Sequence, residues 1–180
     1  MAILHRATVT PTKTELVACW LDRQSWGGVG EVEVIGSYRF DDPEGAVGVE
    51  ALIVSRGSSL FHVPMTYRGA ALDGAEAHLI GTMDHSVLGK RWIYEAINDP
   101  VAVACFARAL SGQQKQATLD LYDGDDLIAR REPTVRIHRR VDAASAVGSL
   151  RLVQALDEVF HGGETLVATW RDGEAVVAAR

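Results

Sequence analysis

The sequence is poor in the groups that usually announce a chemistry. It holds two cysteines, Cys19 and Cys105. They lie far apart in no metal-ligand spacing, which points to buried, reduced thiols rather than a disulfide or a nucleophile. Lysine is scarce, three residues against fifteen arginines, and Lys plus Arg (18) is outnumbered by Asp plus Glu (24), for a formal charge of −6. Such a field repels phosphate backbones and anionic lipid, so neither nucleic acid nor a membrane surface is expected as a partner. No run approaches the roughly 18 uninterrupted apolar residues of a bilayer span. Met1 to Thr14 lacks the continuous apolar stretch of a signal peptide, and a cytoplasmic location is expected. Gly-x-Ser-x-Gly and His-Glu-x-x-His are both missing, which removes the commonest hydrolase signatures. Two glycine-rich stretches fail as nucleotide loops. Gly28-Val29-Gly30 has Glu33 where a dinucleotide fingerprint needs glycine. Gly81 and Gly89 are separated by seven residues, with Arg91 where a phosphate-binding loop needs Ser or Thr.

What is present reads as alternating strands with two helices. A chain of 180 residues predicts one domain, large enough to bury about 70% of its unfolded surface without staples. After a β-like start over Ile3 to Val9, Thr12-Lys13-Thr14-Glu15 is a capping box. It opens a short helix with Leu16, Cys19 and Trp20 on its apolar stripe. From Glu31 the period becomes two: Val32, Val34, Tyr38 and Phe40 alternate with polar residues, and Asp41 to Gly45 turns the chain into Val47, Val49, Ala51 and Ile53. Arg56 to Ser59 turns it again into Phe61, Val63, Met65 and Tyr67, with His62, Thr66 and Arg68 on the opposite face. Leu79 to Met83 and Arg91 to Ala96 continue the pattern. Asn98-Asp99-Pro100 starts a second helix, with Val103, Phe106, Ala107 and Leu110 as its stripe and Ser111-Gly112 as its end. Further strands are predicted at Ala117–Tyr122, Leu127–Arg131, Val135–His138, Leu150–Leu156 and Leu166–Val177, with Pro133 breaking the second and third apart. Val141 to Ser149 is the one plausible linker. Short turns between consecutive strands argue for α+β, a curved antiparallel sheet packed by two main helices.

The densest polar stretch is His78 to Trp92. On a strand His78, Thr82 and Asp84 share a face, with His62 and Arg68 opposite them on a neighbour, and His85, Lys90 and Trp92 complete a patch suited to a sugar or an anion. The same groups also have ordinary structural uses: Asp84 on turn amides, His78 and His85 as satisfied imidazoles, Lys90 and Arg91 in solvent. Two imidazoles and a carboxylate without ligand spacing make no metal site, and no cofactor is implied. Trp26, Trp92 and Tyr67 are expected to pack rather than to stack on sugars. Asp123 to Asp126 reads as a solvated turn, without the ligand spacing of a calcium loop. Arg136, His138, Arg139 and Arg140 read as a charged strand edge that discourages sheet-to-sheet pairing, or as a surface for an acidic partner.

At Val63-Pro64-Met65-Thr66-Tyr67-Arg68, at His78 through Trp92, and at Tyr94-Glu95-Ala96 with Asn98-Asp99-Pro100, the chain resembles the N-terminal cap domain of actinobacterial maltokinases. It is most similar to the stand-alone cap-like proteins of that group. The resemblance covers residues 2 to 111 and thins beyond Leu119. It implies a single cap-like domain over 1–180, with 1–111 as the best-matching part and 115–180 completing the sheet or forming a small β subdomain. It implies a curved antiparallel sheet with helices, likened to cystatins, carrying no catalytic residues. Maltokinases phosphorylate maltose with ATP on the route from trehalose to α-glucan, but phosphoryl transfer needs a positioned lysine, a catalytic aspartate and magnesium-binding carboxylates on two lobes. None of the six histidines begins a His-x-Asp triplet. The resemblance therefore implies a non-catalytic accessory or regulatory module, partnered by a second copy or by an enzyme of trehalose, maltose or α-glucan metabolism. The alternative is a small-molecule binder or minor enzyme using His62, Arg68, His78, Asp84, His85, Lys90 and Trp92.

Overall fold

Thr12 begins the first helix as its chemistry requires. In the computed structural model, which describes residues 2–5, 8–123, 126–143, 148–157 and 160–180 (backbone alone at 2–5, 119–123, 126–128, 130 and 131), the Glu15 amide donates to Thr12 Oγ1 and the Glu15 carboxylate accepts from the Thr12 amide at 2.7 Å. The predicted start Ile3 to Val9 is two strands in different sheets, β1 (Ala2–His5) and β2 (Val9–Thr10). Helix α1 (Lys13–Leu21) buries Leu16, Val17, Trp20 and Leu21. Cys19 is exposed and only Cys105 is buried, both as free thiols, because the buried stripe is centred on the adjacent positions 16, 17, 20 and 21 and leaves Cys19 on the solvent side.

The expected meander follows as β3 (Val32–Phe40), β4 (Gly48–Arg56) and β5 (Ser59–Arg68), then the hairpin β6 (Leu79–His85) and β7 (Gly89–Glu95). With β2 they form a strongly curled six-stranded sheet, order β2-β6-β7-β5-β4-β3, antiparallel throughout. Two bulges correct the simple alternation. One lies between Val34 and Gly36, which turns Ile35 toward the core and leaves Val34 44% exposed. The other lies between Leu79 and Gly81 and places the extra residue, Ile80, in the core.

Helix α2 (Pro100–Leu110) has Asp99 as its N-cap, accepting from the Val101 amide at 3.0 Å, with Pro100 in the first turn. Its buried face is Ala102, Cys105, Phe106, Ala109 and Leu110, not the stripe through Val103 and Ala107, which are only half-buried. Three of the five are small, which lets the helix lie close to its neighbours. After it come β8 (Leu119–Asp123), β9 (Asp126–Arg131), β10 (Arg136–Val141), β11 (Arg151–Leu152), β12 (Glu164–Trp170) and β13 (Gly173–Ala179). They join neither edge of the curled sheet: β8 pairs with β1 in parallel on one side and with β9 antiparallel on the other, and the other four form a sheet of order β10-β12-β13-β11. Within the predicted strand Leu150–Leu156 only Arg151 and Leu152 are strand, with a single bridge from Ala155 to Phe61. Of the predicted linker, residues 144–147 lie outside the described residues, as do residues 124 and 125 of the acidic turn.

The curled sheet has a core on each face. On one, Leu16, Val17, Trp20 and Leu21 of α1 pack on Leu52, Val54, Phe61, Val63, Met65 and Ile93. On the other, Tyr38, Phe40, Val49, Ala51 and Ile53 meet α2 and then Leu166, Ala168, Val177 and Ala178 of the four-stranded sheet. Strand β4 is therefore buried on both faces from Val49 to Val54, which is why its sequence is almost continuously apolar. The segment after β11 binds the two sheets together: the Val153 amide donates to Val177 O, the His62 amide to Gln154 O, and the Leu156 amide to Leu60 O.

Candidate functional site

The seven candidate residues do not gather in one place: His62 is buried, Arg68 is in an ion pair, His78 and His85 lie in turns, and Asp84, Lys90 and Trp92 lie on neighbouring strands. His62 is fully buried, away from the patch in which alternation places it. Its Nδ1 lies 2.8 Å from Val153 O and its Nε2 2.9 Å from the Tyr38 hydroxyl, with the two rings stacked at 5.9 Å. A carbonyl can only accept, so Nδ1 carries the proton and Nε2 accepts from Tyr38. Burial pushes the His62 pKa down to about 4, against the opposing pull of Val153 O, and pushes the Tyr38 phenol well up. This is a neutral, internally satisfied pair.

Arg68 is committed to Asp99, with Nε and Nη2 each 2.7 Å from one carboxylate oxygen. Burial raises Asp99, but the Arg68 guanidinium and the Val101 amide outweigh it and hold the carboxyl below its usual range. One carboxylate thus caps α2 and pins the end of β5. His78 sits in a 3-10 turn (Glu76–His78) rather than on β6, so the face it was expected to share with Thr82 and Asp84 does not form. Its Nδ1 is 3.7 Å from Glu95 Oε2, and Glu95 also accepts from Trp20 Nε1 at 3.0 Å. His85 closes the β6–β7 turn, its Nδ1 accepting from the amides of Val87 and Leu88 at 3.2 and 3.1 Å.

Four of the candidates, with Thr82, do share a sheet face. Register places Arg68 beside Trp92 and Trp92 beside Thr82, and in the next row Lys90 beside Asp84. The Lys90 ammonium lies 5.3 Å from the Trp92 ring centre, a cation–π arrangement. Asp84 and Lys90 are exposed, and Arg68, Thr82 and Trp92 are half-buried. Two concavities, one of about 300 Å³ beside Pro64 and Leu152 and one of about 560 Å³ beside Phe40 and Leu166, are lined by none of the seven candidates. Among the described residues no cluster of His, Cys, Asp and Glu is grouped as a metal site. Trp26 packs edge-on to Trp20 at 5.5 Å and against Phe61 at 5.8 Å, the packing role expected of it.

The most heavily charged buried site was not singled out from sequence. Glu50 is 4% exposed, inside an apolar strand, and it binds Lys13 of α1 at 2.5 Å and Arg39 of β3 at 3.2 Å. Burial raises its pKa, but the two cations win and hold it at about 2. Lys13 also lies 5.4 Å from the Tyr67 ring centre, and burial together with Glu50 pushes the Tyr67 phenol up. The available signal was a single carboxylate at position 50 within the apolar run 47–54. Its cations come from two other elements, which no local pattern reveals.

The fold and site define an α+β module with a curled antiparallel sheet, whose charged groups tie helices to strands. Residues 20–99, from the end of α1 through β7 to the cap of α2, match the family model of the maltokinase N-terminal cap domain, and this part of the chain is cap-like. No curated protein and no solved structure matches the chain.

Proposed function

We propose that the chain is an accessory or regulatory module without catalysis of its own, acting by association with an enzyme of trehalose, maltose or α-glucan metabolism. The observation that carries this reading is the commitment of the cap-like segment's polar groups to the fold. His62 is spent on Tyr38 and Val153, Arg68 on Asp99, and His85 on its own turn. Residues arranged in this way hold a surface in shape for a partner. The likeness of residues 20–99 to the maltokinase N-terminal cap domain is what supports the metabolic side of this reading. The test mixes the purified chain with a maltokinase deprived of its own cap, and with other enzymes of maltose and trehalose conversion, and follows sedimentation and kcat/KM. Co-sedimentation with one enzyme and a changed rate are expected. A chain that stays monomeric with every enzyme and alters no rate refutes the reading.

One observation favours a second reading, a sugar or anion site: the row Arg68, Trp92, Thr82 with Lys90 and Asp84 beside it. A ligand at 100 times its Kd adds about 2.7 kcal/mol to stability. Thermal melts with maltose, trehalose, maltose 1-phosphate and Mg-ATP should then show an upward shift that Lys90→Ala removes. Unshifted melts dismiss it.

A further inference from the structure

The structure assigns a peptide-docking edge to β10: we propose that it accepts an extended acidic segment of a partner protein as an added strand. The proposal deepens the accessory-module reading and rests on it. Strand β10 is at the edge of its sheet. Its residues alternate in direction, and the bond from the Asp142 amide to Gly163 O continues the β10–β12 register. Positions 136, 138 and 140 therefore bond to β12, while the backbone groups of 137, 139 and 141 point outward. The first outward groups are already met by a surrogate: the Gln116 side-chain amide donates to Val135 O at 3.0 Å and accepts from the Ile137 amide at 2.6 Å. A side-chain amide stands where a neighbouring strand's peptide group would. The next outward pair, the Ile137 carbonyl and the Arg139 amide, borders the groove of about 560 Å³ between residues 112–118 and 132–139, with buried Phe40, Ala109 and Leu166 among its lining.

The far wall of this groove is held firm. Gln114 donates to Asp41 O at 2.8 Å and accepts from Arg108 of α2, and on the near side Arg139 of β10 bonds to Leu110 O and Glu164. A rigid slot beside an open strand edge suits an extended peptide.

Charge selects the occupant. The groove is lined by Lys115, Arg136 and Arg139, with Glu132 paired to Arg136 and Glu164 to Arg139, so three cations meet two carboxylates and the local balance stays positive on a chain whose overall charge is −6. A second copy adding its own β10 would set these arginines against one another. An acidic strand meets complementary charge and gains the backbone bonds.

Fluorescence polarisation of the full chain tests this with a labelled octapeptide of alternating Glu and Val, its Lys-and-Val counterpart, and the acidic peptide N-methylated at alternate backbone amides. The acidic peptide should bind saturably, and the other two about tenfold more weakly or worse, because one has the wrong charge and the other cannot make the edge bonds. Lys115→Glu, at an exposed position, should weaken the acidic peptide severalfold and leave the melting temperature unchanged. The proposal falls if N-methylation has no effect, which would mark a patch for polyanions in general. It falls equally if the acidic peptide does not bind, if Lys115→Glu leaves its affinity unchanged, or if the chain instead self-associates through this edge. Should an enzyme complex form and survive Lys115→Glu unchanged, the edge proposal fails and the accessory reading stands. Should the peptide bind while no enzyme complex forms, the accessory reading fails and the edge remains.

Discussion

His62 makes folding depend on acid. Its folded pKa is held at about 4 by burial, below the 6.5 of a free imidazole. Between those values the unfolded chain binds a proton that the native ring refuses, so stability rises with pH across this window. The contribution is fully present above pH 6.5 and is lost as pH falls toward 4, amounting to about 3 kcal/mol. Urea unfolding of the native chain and of His62→Gln checks it. The variant should be less stable at pH 7, and the gap between the two should close by most of that amount at pH 4. Parallel pH profiles would mean that the native imidazole already accepts the proton. Sequence could place His62 on a strand face, and it does lie on one. What hid its role was Tyr38, on β3, and Val153, some ninety residues away: the face is buried by a segment with no local relation to β5.

At the scale of elements, the meander, the hairpins and both helix starts were legible because each rests on local chemistry: a period of two, turn dipeptides, a capping box, and Asp99 ahead of Pro100. The bulges were not, since a one-residue insertion follows from how strands curl and what they meet. The β3 bulge gives a sharp test. A Cβ at Gly36 would sit 2.7 Å from Thr134 Oγ1 and 2.8 Å from Val135 Cγ2, and Thr134 Oγ1 also accepts from the Ser37 amide at 3.0 Å. Gly36→Ala should therefore push β3 away from the 134–135 segment and cost about 1–3 kcal/mol by overpacking. Val34→Ser, at a position that plain alternation assigns to the core, should cost under about 0.5 kcal/mol, as exposed substitutions do. Chemical denaturation of the two variants decides between the bulged register and the regular one, which predicts the reverse order. The half-buried row Arg68, Trp92 and Thr82 was half legible for the same reason. The alternation of β5 and β7 shows in the sequence, whereas His78 leaves the row because its turn precedes the β6 bulge.

Across the whole molecule, the family match ends at residue 99, but the core does not. Phe106 and Leu110 of α2 lie in one buried cluster with Tyr38 and Phe40 of the curled sheet and with Leu166, Val177 and Ala178 of the four-stranded sheet. Phe40 and Phe106 meet edge to face at 5.1 Å. A helix covered on both sides cannot keep its environment when one cover leaves, so both sheets should unfold together. Leu166 is 1% exposed on β12, and Leu166→Ala should cost about 2–5 kcal/mol by the cavity it leaves. Native-state hydrogen exchange gives the decisive comparison. If the cluster is one cooperative unit, the substitution lowers the protection of β4 and β5 amides by as much as that of β12 and β13, although β4 and β5 lie in the other sheet. Loss of protection confined to β12 and β13 would instead make the four-stranded sheet a separately folding attachment. The cap-like part would then keep Tyr38 and Phe40 covered by α2 alone, and the docking edge of β10 would be carried on a piece able to move against the segment that matches the family.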